Sequence, residues 1–170
     1  MRAILKGHQA AIYKVVFSPN GRFLVSASGD RSVRIWKIRD GSSKVLPVVG
    51  TPNLFISVAF SDDGRFIAAG NYDNSLWIWD SRTHRLVAKW QGHEGSVWCT
   101  QFTADGKGLI SGGADKTVKY WDVNLLRSRQ GLSMGMVVDE EQGFPFVWSI
   151  LGHSVRCVLF FVTMSTEKPL

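Results

Sequence analysis

The chain has little cysteine: two residues in 170, Cys99 and Cys157, with no CxxC pair and no Cys/His grouping at metal-ligand spacing. That scarcity excludes a disulfide scaffold and a thiolate metal site, and reads as two free, buried thiols in a reducing compartment. No glycine-rich phosphate loop occurs, because the glycines fall in turns between apolar runs, so the common nucleotide fingerprints are missing. No apolar run is long enough for a bilayer; the longest late stretch, 155–162, is broken by Arg156. The first six residues run directly into Gly7-His8 and leave no room for a secretory leader. An intracellular protein without metal, cofactor or membrane segment is expected.

What is present is hydrophobic and aromatic: 45% of the residues are apolar, with seven Trp and ten Phe. That is enough for a substantial core in one domain. The formal charge of +6 comes from Lys and Arg scattered through turns and outer positions, among them Arg22, Arg31, Arg65 and Lys107. This dispersal reads as a solvated surface, with an electrostatic role toward nucleic acid or an acidic partner as the alternative.

A three-residue constellation recurs. His8, Asp30 and Trp36 are separated by 22 and 6 positions, and His93, Asp115 and Trp121 repeat those separations. Between them Thr51, Asp73 and Trp79 keep the spacing with Thr for His. The units advance by 43 and then 42 residues, the period of β-propeller blades. Asn20-Gly21, Asp63-Gly64 and Asp105-Gly106 recur at the same period and are strong hairpin signals. An all-β fold is therefore expected, with four-stranded units at 12–49, 55–91 and 97–122. Within the first unit the fourth strand is expected at 45–49. In the third, an insertion over 124–145 would delay the outer strand to 146–151. Flanking single strands are expected at 3–5 and 155–162.

Ser26 and Ser111 each lie four residues before the Asp of their unit. Ser, His and Asp suit acyl transfer, where a base activates the hydroxyl and a carboxylate orients the base. A serine hydrolase is thus the remote alternative. Repetition argues against it, since an enzyme needs one such site. In a blade, the His can meet the Asp and bridge through Ser to the Trp indole, locking strands together. The middle unit departs in a paired way, with Thr51 for His and Ala69 for Ser. His8, Ser26, Asp30, Trp36, Asp73, Trp79, His93, Ser111, Asp115 and Trp121 are accordingly expected to form a structural network.

These residues resemble the WD-repeat β-propeller family. The matching motifs are Gly7-His8 with Val33-Arg34-Ile35-Trp36-Lys37, Leu76-Trp77-Ile78-Trp79-Asp80, and Gly92-His93 with Val118-Lys119-Tyr120-Trp121-Asp122. Lys37 and Thr51 depart from the family's Asp and His. More narrowly, Gly29-Asp30-Arg31-Ser32-Val33-Arg34-Ile35-Trp36 and Gly64-Arg65-Phe66-Ile67-Ala68-Ala69-Gly70 look like the propeller of the fungal Tup-type general transcriptional corepressors. The resemblance implies a non-enzymatic platform, nuclear or shared with the cytoplasm. Its partners would be proteins or peptides: DNA-bound repressors, chromatin or adaptor proteins. A ubiquitin-ligase receptor or signalling-adaptor propeller is the alternative. Contact positions carried over from the family fall on Tyr13, Trp98 and Tyr72, with Glu94 at the rim.

Propellers close with four to eight blades, so three units imply an open arc from a larger protein. Self-association through the edges at 3–5 and 155–162 is expected.

Overall fold

The computed structural model describes residues 4–50, 53–127, 147–151 and 154–158. The chain divides into two compact units, Met1–Leu132 and Ser133–Leu170. The first unit carries three antiparallel sheets. One is built from β1 (Ile12–Phe17), β2 (Phe23–Ser28), β3 (Val33–Lys37) and β4 (Ser43–Val45), in that order. The next comprises β5 (Phe55–Phe60), β6 (Phe66–Asn71), β7 (Ser75–Asp80) and β8 (Leu86–Gln91). The third comprises β9 (Val97–Phe102), β10 (Gly108–Gly113) and β11 (Val118–Asp122), followed by the short helix α1 (Asn124–Arg127).

The sequence turns occur where the Gly signals place them. Gly21, Gly64 and Gly106 have φ of 66°, 68° and 66°, a conformation a side chain at that position would strain. In each turn a hydroxyl caps the chain: Ser18 donates to Asn20, Ser61 to Asp63 and Thr103 to Asp105, at 2.8, 2.7 and 2.6 Å. The second turns are Asp-x-Ser/Thr, with Arg31, Asn74 and Lys116 at φ of 67°, 69° and 64°. The N–H of Ser32, Ser75 and Thr117 donates to the side chain of Asp30, Asp73 and Asp115 respectively. Those Asx-type bonds hold the left-handed residue in place.

Four strand assignments differ from the sequence expectation. The fourth strand of the first sheet is Ser43–Val45 rather than 45–49. Its last ladder-like bond is Leu46 N–H to the Val33 carbonyl at 2.8 Å, and Pro47 has no N–H to extend it. The third sheet holds three strands. The segment expected as its outer strand forms β12 (Val147–Leu151), paired antiparallel with β13 (Ser154–Val158). Two intervening positions make the shortest hairpin connection, whereas pairing with β11 would require closing a much longer loop. So 155–162 is not a single strand; its described part lies in this hairpin. The described part of 3–5, Ile4 and Leu5, is not in a strand. Met1, Arg2, Ala3, Thr51 and most of 124–145 lie outside the described residues.

Two core clusters join the sheets. Val25, Ala27, Val33 and Ile35 of the first sheet meet Phe55, Val58, Ile67, Ala69, Trp77 and Trp79 of the second. Ala59, Phe66, Ala68, Leu76 and Ile78 meet Val97, Phe102 and Leu109 of the third. The central sheet is therefore packed on both faces, one against each neighbouring sheet. Its aromatic pairs pack edge-on or offset: Phe55 lies 5.9 Å from Trp77, and Trp77 stacks on Trp79 at 6.1 Å and 17°. Burying one such side chain contributes about 1.5–3 kcal/mol, and each aromatic pair adds roughly 0.5–1.5 kcal/mol. Gly70 sits where the central and third sheets approach: an added Cβ would lie 2.6 Å from the Val97 carbonyl oxygen.

Candidate functional site

The two intact constellations form the same hydrogen-bonded chain. In the first sheet, Trp36 Nε1 donates to Ser26 Oγ at 2.8 Å. His8 Nε2 lies 2.6 Å from that Oγ, and His8 Nδ1 lies 2.7 Å from Asp30 Oδ2. In the third sheet the corresponding distances are 2.7 Å (Trp121–Ser111), 2.7 Å (Ser111–His93) and 2.8 Å (His93–Asp115). An indole only donates. Each serine oxygen therefore accepts from Trp and gives its own proton to His Nε2, leaving Nδ1–H to donate to the carboxylate. Four residues on four segments are thereby tied in one direction.

The order Ser–His–Asp matches that of a catalytic triad, but the surroundings differ. Ser26 and Ser111 are fully buried, and a serine oxygen holding an indole N–H has no open approach for an acyl group. The His rings lie against the indoles, His8–Trp36 at 5.7 Å and His93–Trp121 at 6.2 Å. On the other side each carboxylate collects further donors. Asp30 accepts from Gln9 N–H and the Ser32 hydroxyl, and Asp115 from Glu94 N–H and the Thr117 hydroxyl. Burial alone would raise the Asp30 carboxyl; the bonds from Ser32, Gln9 and His8 outweigh it and hold the group below the usual carboxylate range. At Asp115 burial is likewise outweighed, by Thr117, His93 and Glu94.

The middle sheet is wired differently. Thr51 lies outside the described residues, and Ala69, at the Ser position, offers no hydroxyl. Trp79 Nε1 instead donates to the Pro47 carbonyl at 2.7 Å, reaching from the second sheet to the segment that follows β4. Trp77 Nε1 donates to Ser75 Oγ at 2.7 Å, and that hydroxyl bonds Asp73. Asp73 also lies 3.8 Å from Lys89 Nζ. Among the described residues, Asp73 and Trp79 thus share no chain of bonds like those of the flanking sheets.

Tyr13 and Trp98 are exposed to 52% and 61%, and Tyr72 to 52%. The outward aim of Tyr13 and Trp98 has a cause the sequence did not disclose. β1 pairs with β2 through Ile12 and Lys14 with a register shift between them, and β9 shows the same shift on either side of Trp98. Tyr13, Ile56 and Trp98 are equivalent bulge residues, and a bulge re-aims the side chain it carries. The Tyr13 ring reaches Gly29, next to Asp30: a Cβ there would lie 3.3 Å from the hydroxyl. Tyr72 directly precedes Asp73, and its carbonyl accepts from Ser96 Oγ, two residues before Trp98, at 3.1 Å. Glu94 is exposed, while its N–H serves the Asp115 network. Sequence reading missed Ser32, Ser75 and Thr117, although a hydroxyl two residues after each repeat Asp was legible at the same period. Cys99, expected buried, is exposed, on the face of the third sheet that turns away from the second.

Repeated antiparallel units, stacked face to face and locked by a buried Asp–His–Ser–Trp chain, define a class of propeller blade. The profile of the "WD domain, G-beta repeat" family matches residues 1–37, 50–80 and 84–122, and the chain belongs to that family. It is 41% identical over 117 residues to the WD repeat-containing protein SL1-17 of Schistosoma mansoni, covering 69% of this chain and 39% of that protein. It is 30% identical over 132 residues to the WD repeat-containing protein 3 homolog of Dictyostelium discoideum, covering 73% of this chain and 13% of that one. Among solved structures, the RRP9 WD40 repeats superpose with a TM-score of 0.69 at 28% identity, covering 72% of this chain and 38% of that one. The chain thus spans well under half the length of these relatives.

Proposed function

We propose that this chain is a non-enzymatic platform that binds proteins or peptides on the rim carrying Tyr13, Tyr72, Trp98 and Glu94. The observation that carries the reading is the bulge in the first and third sheets, which turns Tyr13 and Trp98 outward beside the Asp turns while both Ser–His–Asp sets stay buried. An amphipathic ring at a rigid, polar-edged position is the composition of an interaction hot spot. The Asp–His–Ser–Trp chains support that rim, fixing the turns from which the aromatics emerge. Direct nucleic-acid binding is not part of the proposal, because the basic residues are dispersed.

Within this class we favour a nuclear, corepressor-type partner set of DNA-bound repressors, chromatin or adaptor proteins. The support is the likeness of Gly29–Trp36 and Gly64–Gly70 to the Tup-type propellers. Peptides selected from a displayed library against the protein test the rim. Trp98→Ala and Tyr72→Ala are expected to weaken the selected peptides on the order of 30-fold, the effect of a hot spot worth about 2 kcal/mol. Unchanged affinity in both variants, or labelling of Ser26 or Ser111 by a serine-reactive probe, would overturn the platform. Tethering the chain upstream of a reporter gene tests the finer reading: repression supports a corepressor, and unchanged expression contradicts it.

A further inference from the structure

Each exposed bulge aromatic has a cation 18 residues later, on the left-handed residue of the Asp turn in its own sheet. Tyr13 is matched by Arg31 and Trp98 by Lys116, both exposed, with φ of 67° and 64°. In the central sheet the same two positions hold Ile56 and Asn74. Aromatic and cation are thus lost together. A left-handed position is taken most easily by Gly, Asn or Asp, as Asn74 illustrates, so Arg31 and Lys116 hold a conformation that their side chains do not favour.

The aspartates beside these cations have no acceptor position left for them. An ionised carboxylate offers about four. On Asp30, Oδ1 accepts from the Ser32 N–H and hydroxyl, and Oδ2 from His8 Nδ1 and the Gln9 N–H. On Asp115, Oδ1 accepts from the Thr117 N–H and hydroxyl, and Oδ2 from His93 Nδ1 and the Glu94 N–H. The central sheet shows the alternative. Asp73 accepts from Ser75 through Oδ1 only, and its Oδ2 faces Lys89 Nζ at 3.8 Å. Among the described residues, no carboxylate lies within ion-pair distance of Arg31 or Lys116. Both cations sit on turns between strands, so their exposure does not depend on what stacks against a sheet face.

We propose that the rim takes an acidic peptide, an apolar side chain of which lies on Tyr13 or Trp98 while a neighbouring Asp or Glu pairs with Arg31 or Lys116. This rests on the platform reading and names the class of ligand for it. The aromatic supplies the apolar contact, and a guanidinium meets a carboxylate through two parallel N–H donors. The two subsites are unequal. The residue whose N–H caps the aspartate is neutral Gln9 in the first sheet and Glu94 in the third. Lys14 follows Tyr13, where Cys99 follows Trp98. The first sheet is therefore the stronger subsite, and Glu94 opposes an incoming anion at the other.

The test uses the library-selected peptides, synthesised together with neutral copies in which each Asp and Glu becomes Asn and Gln. Both sets are titrated against the full chain by fluorescence anisotropy at low and high salt. The selected peptides are expected to carry acidic residues next to apolar ones, and the neutral copies to bind on the order of 10-fold more weakly, the worth of two exposed ion pairs. Salt is expected to weaken the acidic peptides and to leave the neutral copies nearly unchanged. Arg31→Gln is expected to weaken the acidic peptides roughly 5-fold, Lys116→Gln by less, and Glu94→Gln to strengthen them. None of the three is expected to alter binding of the neutral copies. Circular dichroism melts establish that each variant is folded, and the neutral copies decide the matter where one is not, since they leave the protein unchanged. Selected peptides that lack acidic residues but lose affinity on Trp98→Ala overturn the acidic class and leave the platform standing. So does equal affinity of acidic and neutral copies, or a folded Arg31→Gln variant that binds acidic peptides as before. Selected peptides indifferent to both Trp98→Ala and Tyr72→Ala, or a library that yields no binder, overturn platform and ligand class together.

Discussion

The central sheet and its two neighbours achieve order by different means. The neighbours keep the buried Asp–His–Ser–Trp chain and each packs one face on the central sheet; the central sheet lacks the serine and packs both of its faces on neighbours. Its indoles have been re-partnered, Trp79 to the Pro47 carbonyl and Trp77 to Ser75, and both side chains are fully buried. The difference teaches that the polar chain and apolar coverage are alternative ways to fix the same blade. Where a sheet packs one face on the central sheet, a directional network holds the turns. Where neighbours clamp both faces, shape alone suffices and the network can lapse.

The largest way to break this contrast is Trp79→Ala, which removes the largest kind of buried side chain from a clamped position. It is expected to lower unfolding free energy by about 3–5 kcal/mol, measured by urea titration followed by far-ultraviolet circular dichroism. Next is the serine position itself. Ser111→Ala strands His93 Nε2 and Trp121 Nε1 and is expected to cost about 1–3 kcal/mol. The reciprocal Ala69→Ser is not expected to stabilise the central sheet, because the Trp79 indole is already engaged and a buried hydroxyl without a partner costs roughly 1–3 kcal/mol. A gain in stability from Ala69→Ser would break the comparison, since it would show the central sheet merely missing its network.

Much of this architecture was legible in the sequence because its signals repeat. Period and Gly turns bracketed β5 through β8 at 55–91 and β9 through β11 at 97–122, and the 22-and-6 spacing named residues that the structure brings together in both outer sheets. What was not legible has local physical causes. Pro47 shortens β4 by withholding one N–H. A hairpin between two adjacent segments pre-empts the pairing expected for 146–151. The bulges at Tyr13 and Trp98 depend on one unpaired residue per strand, which alternation cannot distinguish from a regular ladder. The exposure of Cys99 depends on which face of its sheet turns away from the central one, a matter of neighbours rather than of its own strand.

A smaller effect sharpens the same contrast through pH. The carboxyls of Asp30 and Asp115 lie below their usual value of 3.8 when folded, so folding favours the charged form. The stability this contributes is fully present above pH about 4 and declines as the pH falls toward the folded-state values. Urea midpoints of the unmodified protein are expected to drop below pH about 4, and the Asp30→Asn, Asp115→Asn double variant is expected to show a flatter decline.

The central claim is that Asp, His, Ser and Trp of an outer sheet act as one cooperative structural chain, and a double-mutant cycle between His93→Ala and Trp121→Phe tests it most directly. The two side chains meet only through Ser111 Oγ and the tilted ring contact. Unfolding free energies are expected to be non-additive by more than about 0.5 kcal/mol, the double variant losing less than the sum of the two. Losses that add to within about 0.3 kcal/mol would contradict the account, leaving two separate contacts where a single chain is claimed.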